Sequence, residues 1–189
     1  MGYDTTFNGS LKFNKPVTDE LKAYINWFSN IRHMRRDVNK IKELYPDWKN
    51  QCYKGNLGVD GAYFIGSTGF MALNNDDSII DYNKPPRCQP GLWCQWIIND
   101  AEELEWDGGE KFYNYVEWLE YFIENFFEPE GYVLNGTIEF QGEDEDDFGT
   151  IIVKCNNVTV EYGIHVMNLG EIDDDTLINE LCSRGYIVS

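Results

Sequence analysis

The 189-residue sequence has only two histidines, His33 and His165, and no C-x-x-C pair among its five cysteines, Cys52, Cys88, Cys94, Cys155 and Cys182. Little is left from which to build a zinc site. The odd number and irregular spacing read as reduced, partly buried thiols rather than a disulfide framework. No apolar run approaches the roughly 18–20 residues a membrane span requires. The basic-then-apolar layout of a signal peptide is also missing, so the expectation is a soluble, cytoplasmic chain in which the sequons at Asn8, Asn135 and Asn157 carry no weight. Met1-Gly2-Tyr3-Asp4-Thr5-Thr6 fits the loose myristoylation pattern, but no polybasic patch adjoins it. Gly66-Ser67-Thr68-Gly69 is not a nucleophile elbow, and Gly55, Gly58 and Gly61 match neither the dinucleotide fingerprint nor a phosphate loop. No cofactor is implied and no catalytic residue stands out, so the enzyme question leans towards no.

Base is scarce after residue 60. Residues 61–189 carry five Lys/Arg against 26 Asp/Glu, whereas residues 1–60 carry ten against seven, and the whole chain has a net charge of −18. Between Asn99 and Asp147 there are 17 acids and one base, Lys111. With 42% hydrophobic and 15% aromatic residues this is no disordered acidic tail, but a folded surface with acid outside. Such a field favours association with a basic partner and argues against direct nucleic-acid binding, which depends on Lys/Arg at phosphates.

Length and patterning predict one α+β domain over residues 1–189, a mainly antiparallel sheet packed against two or three helices. Tyr3–Phe13 reads as a strand, or a short hairpin or bulge at Asn8-Gly9. A helix follows Thr18 as N-cap, with the stripe Leu21, Tyr24, Ile25, Phe28, Ile31 and with Arg32, His33, Arg35 and Arg36 at its C-terminal end. Val38–Tyr45 is a second helix, stopped by Pro46. Short strands fit Ala62–Ile65, Gly69–Leu73 and Ser78–Tyr82. Leu92–Ile98 reads as a strand pairing with Glu103–Trp106. A long helix is expected from Glu110 to Phe127 on the stripe Phe112, Tyr115, Val116, Leu119, Phe122, Ile123, Phe126. Tyr132–Gln141, Thr150–Cys155 and Val158–Tyr162 read as strands, and Asp174–Arg184 as a final helix.

Several clusters invite a chemical reading. Glu110, Glu117 and Glu124 recur every seven residues, which on a helix gives rungs about 10.5 Å apart. The turn Asp144-Glu145-Asp146-Asp147-Phe148-Gly149 places Asp146 and Gly149 as a calcium loop needs, but Phe148 and Cys155 fall on ligand positions, so an EF-hand is rejected. A looser divalent-cation site at Asp144, Asp146 and Asp147 stays open beside the plain reading of a solvated turn. Trp93, Trp96 and Trp106 form either a stacking surface for a ligand or part of a core sheet. His33 reads as a favourable dipole contact at a helix C-terminus, His165 as a strand or core residue.

The stretches Gln89-Pro90-Gly91-Leu92-Trp93-Cys94-Gln95-Trp96, Glu105-Trp106-Asp107-Gly108-Gly109-Glu110-Lys111-Phe112-Tyr113, Val116-Glu117-Trp118-Leu119, Leu134-Asn135-Gly136 and Gly142-Glu143-Asp144 are distinctive in wording. With the Met-Gly-Tyr-Asp start, they resemble a family of small uncharacterised acidic proteins of bacterial and phage genomes. That resemblance implies a cytoplasmic setting, in the host if phage-encoded, and transfers no activity. Two function classes remain. One is a non-enzymatic acidic binding protein, an inhibitor of anti-defence or nucleic-acid-mimic type, engaging a basic host protein through Glu110, Glu117, Glu120, Glu124, Glu143 and Asp144. The alternative is a small-ligand or nucleotide binder or enzyme with a pocket at Trp93, Trp96 and Trp106 and a divalent cation at the acidic turn.

Overall fold

Thr5, Phe7, Leu11 and Phe13 share one parity. In the computed structural model, which describes residues 2–66, 76–163 and 178, they form the inward face of a nine-residue strand, β1 (Thr5–Phe13). The Asn8-Gly9 pair neither turns nor breaks it. Gly9 sits mid-strand at φ +116°, opposite Ile138, where a Cβ would lie 2.6 Å from the Thr137 carbonyl oxygen. Only a glycine lets the two backbones approach this closely.

Two further strands are short and belong to a separate pair, β2 (Arg35–Arg36) and β3 (Ile79–Asp81). The main sheet contains β1 with β4 (Trp96–Ile98), β5 (Glu103–Trp106), β6 (Leu134–Gly142), β7 (Phe148–Lys154) and β8 (Asn157–Tyr162). Its order is β4-β5-β1-β6-β7-β8, antiparallel at every pairing, so the first strand of the chain lies inside the sheet. This is the expected α+β architecture. Alternation along the strands sends Leu11, Leu104, Leu134, Ile138, Phe140, Ile151 and Val153 to the helix-covered side. The opposite side carries polar groups such as Thr6, Asn8, Glu139 and Glu161.

Helix α1 (Asp19–Ser29) starts where expected, with Thr18 Oγ1 accepting from the Leu21 N–H. It lies along β4 and closes that edge with side chains. The Asn26 amide donates to the Ile98 carbonyl (2.9 Å) and accepts from the Ile98 N–H (2.8 Å), and Ser29 Oγ donates to the Trp96 carbonyl. Both polar groups of an edge residue are thus satisfied without another strand. Helix α2 (Val38–Leu44), N-capped by Asp37, belongs to a smaller cluster in which Ile41, Cys52, Leu57 and Phe64 are buried.

Helix α3 (Tyr115–Phe122) starts five residues later than the expected Glu110. Gly108, Lys111 and Asn114 take positive φ (84°, 59° and 55°), so residues 107–114 form a loop; Phe112 reaches the core from that loop. After Phe122 the chain widens into a π-turn over Ile123–Phe127, which buries both Phe126 and Phe127. The interior between sheet and helices is largely aromatic. Phe7 meets the rings of Trp96, Trp106, Phe112 and Tyr115 edge-on at 4.8–5.8 Å, and Phe28 meets Trp118, Phe122 and Phe126 at 5.4–6.1 Å.

Other expectations are corrected. Helix α1 ends at Ser29, so its last turn holds no base. Arg36 instead forms a buried ion pair with Asp76, which also accepts from Tyr45 and Ser78, while Arg35 and Arg87 share Asp60. His33 is 3% exposed, packed against Phe28 and Trp118. Ala62–Ile65 is a turn with a single bridge between Cys52 and Phe64, because Gly58, Asp60 and Gly61 all take positive φ just before it. Only Trp96–Ile98 of the 92–98 segment is strand. The Gly69–Leu73 strand, His165 and, apart from Ile178, the Asp174–Arg184 helix lie outside the described residues. No described helix is long and apolar enough to cross a membrane.

Two outcomes test this account. Asn26→Ala strips partners from the Ile98 backbone and should lower stability by about 1–3 kcal/mol, read from urea denaturation. Burial holds His33 well below its ordinary value, at about 3, despite a hydrogen bond to the Phe28 carbonyl. The unfolded chain therefore takes up a proton near pH 6.5 that the folded chain refuses until about pH 3. Stability should be complete above pH 6.5 and fall towards pH 3 by an amount on the order of 4 kcal/mol. The slope between pH 6.5 and 4 should flatten in His33→Leu.

Candidate functional site

At one end of the sheet, where β1 begins and β6 turns into β7, three stretches distant in sequence are tied together. The Tyr3 hydroxyl donates to Asp147 Oδ2 (2.7 Å) and accepts from the Asp144 N–H (3.2 Å). The Tyr3 N–H donates to the Tyr113 hydroxyl, the Asp4 N–H to Glu143 Oε1, and the Lys111 N–H to Asp4 Oδ1, each within 2.9 Å. The β6–β7 turn is also braced from within. Gly142 N–H donates to the Asp147 carbonyl, and the Gln141 amide reaches the carbonyls of Gly142 and Asp144. Residues 2–4, 107–113 and 142–147 therefore form one hydrogen-bonded unit.

Each part has a local cause. Register places Thr5 opposite Gly142, so the residues just before β1 must meet the turn just after β6. The left-handed conformations at Gly108, Lys111 and Asn114 bend the 107–114 loop until it crosses the start of β1. Gln95 anchors that loop by donating to the Glu110 carbonyl, and itself accepts from Trp106 Nε1.

The unit is electrostatically one-sided. It brings together Asp4, Asp107, Glu110, Glu143, Asp144 and Asp147 with Lys111, whose ammonium lies 3.4 Å from Glu110. Two protons are held more tightly than usual. The hydrogen bond donated to the Asp147 carboxylate raises Tyr3, and burial raises Asp107 against the N–H it accepts from Gly109. Elsewhere the bases of the N-terminal third are drawn into pairs: Lys12 with Glu103, Lys22 with Asp100 and Lys54 with Glu130.

The expected site residues fall into several places. Glu143 and Asp144 lie in this unit, and Glu110 joins it from the loop rather than from a helix, so the seven-residue rungs do not extend to Glu110. Glu117, Glu120 and Glu124 lie on α3 and the π-turn, all three exposed. The three tryptophans differ in setting. Trp96 is fully buried and meets Phe7 beside Trp106, while Trp93 lies under the Arg32 guanidinium. Among the described residues no three His, Cys, Asp or Glu are grouped to hold a metal ion, and Asp147, one of the three acids considered for a cation, is turned towards Tyr3. A groove of about 600 Å³ lies elsewhere, between α1 and the turns of 48–55, lined by Tyr24, Trp27, Tyr53 and Tyr132 with Glu20, Lys54 and Glu130.

Tyr3, Asp4 and Tyr113 were not singled out from sequence, since their partners lie 107 to 144 residues away. No family model, curated protein or solved structure matches the chain.

Tyr3→Phe keeps the ring but removes one donor and one acceptor. Hydrogen exchange of the Asp144 amide should quicken roughly tenfold, with little change in the global melting temperature.

Proposed function

We propose that this chain is a binding protein, not an enzyme, whose acidic surface occupies a basic surface of another protein. The observation that supports the reading is the distribution of charge after folding. Lys12, Lys22, Arg35, Arg36 and Lys54 of the first third are paired with Glu103, Asp100, Asp60, Asp76 and Glu130, and none of these pairs involves an acid of α3 or the sheet end. The carboxylates of Asp4, Glu143 and Asp147 are held by the Lys111 N–H, the Asp4 N–H and the Tyr3 hydroxyl, which fixes their positions in advance of binding and lowers the ordering cost of association. A single-sign field of this kind speeds encounter with a basic partner and repels phosphate backbones.

In its sharper form, with the resemblance to phage-borne acidic proteins taken into account, the chain is an inhibitor that blocks a basic host protein, including one whose natural ligand is nucleic acid. A small-ligand reading moves from the tryptophans to the aromatic groove beside α1, whose volume suits a small molecule.

Cross-linking in host lysate followed by mass spectrometry tests the first reading. A basic protein should be captured by the wild type at low salt. Capture should fall at least tenfold in Glu117→Gln/Glu120→Gln/Glu124→Gln combined with Glu143→Gln/Asp144→Asn, and should weaken steeply as ionic strength rises. Undiminished capture by that variant overturns the reading, and a metabolite that raises the melting temperature of both proteins would shift the assignment to the groove.

A further inference from the structure

Three buried side-chain atoms near α3 have no protein partner: Trp118 Nε1, His33 Nε2 and Gln89 Oε1, on residues 0%, 3% and 6% exposed. They belong to one neighbourhood. The His33 and Trp118 rings are 5.0 Å apart between centroids, the Trp118 and Tyr121 rings 5.5 Å, and Gln89 Nε2 donates to the Tyr121 hydroxyl at 3.3 Å. Gly91 borders the same space; a Cβ there would lie 3.4 Å from Trp118 Nε1.

The polarity of each atom follows from its other bonds. An indole nitrogen only donates. His33 already donates its other ring N–H to the Phe28 carbonyl, which makes Nε2 an acceptor. The Gln89 amide nitrogen is committed to the Ala62 carbonyl (2.7 Å) and to Tyr121, which leaves its oxygen as an acceptor. One donor and two acceptors thus share one neighbourhood, all uncharged. A direct bond from Trp118 to His33 would satisfy two of them and orphan the glutamine. A molecule that accepts one hydrogen bond and donates two satisfies all three, and the lack of a facing charge disfavours an ion.

We propose that Trp118, His33 and Gln89 form an internal water site, occupied by one water or a hydrogen-bonded pair, which accepts from Trp118 Nε1 and donates to His33 Nε2 and Gln89 Oε1. The water links three separate segments, the 86–93 loop, the connection after α1, and α3. It fits the frequency and bonding of buried waters in folded proteins.

Water-selective rotating-frame NMR on the full ¹⁵N-labelled chain tests this. The Trp118 indole proton should show a direct cross-peak to water, and His33 should be the tautomer protonated at Nδ1 with Nε2 accepting. A crystal structure should show density within 3.2 Å of Trp118 Nε1 and of at least one of the two acceptors. Absence of both the cross-peak and the density overturns the proposal, as does an indole proton bonded directly to His33 Nε2.

Discussion

The packing of aromatic rings edge-to-face between sheet and helices is the constraint on which the rest of the structure depends. Phe7 from β1 and Phe28 from α1 each sit at the centre of a group of rings contributed by distant parts of the chain. Such rings bury large areas, and each pair adds directional preference to the area term. Directionality explains departures from regular secondary structure. The π-turn at Ile123–Phe127 and the loop that delivers Phe112 both set rings at angles that an uninterrupted helix from residue 110 would not reach.

Charge is arranged around this interior rather than through it. The exceptions are the Arg36–Asp76 pair, with its hydrogen bonds to Ser78 and Tyr45, and Asp60 between two arginines. These pairs anchor the small β2–β3 lobe, where apolar burial is limited to a few residues. Their effect on the remaining surface is subtractive. Lys12, Lys22, Arg35, Arg36 and Lys54 hold distant segments together, and the acids of α3 take no part in these pairs.

Periodicity made the strands after residue 132 legible, because β6 alternates cleanly between a buried and a solvated face and β7 and β8 follow the same parity more weakly. Thr18 and Leu21 marked the start of α1 equally well. What sequence did not reveal was where periodic stretches stop. Phe112 obeys the helical stripe yet lies in a loop, since a stripe records only which side chains are buried and not the backbone that delivers them. The arginines after α1 looked like dipole partners because their true partners, Asp60 and Asp76, are 25 to 40 residues downstream. The unit at the sheet end was invisible for the same reason. Its acids could be counted, but their attachment to Tyr3 and Asp4 follows from the β1–β6 register.

The place of β1 in the sheet has a consequence for how the protein is made. Strand β1 pairs on one side with Glu103 and Leu104 and on the other from Leu134 to Gly142, both made long after it. Until those segments are made, its alternating apolar face has no sheet to join. Pairings of such long sequence separation carry a large loop-closure cost and slow folding. The Asn8-Gly9 pair, with its weak strand propensity, lies in the middle of this waiting segment and makes it a poorer template for premature pairing. Assembly of the main sheet is thus deferred until β6 has been made, and β1 is the strand whose protection in the meantime matters most.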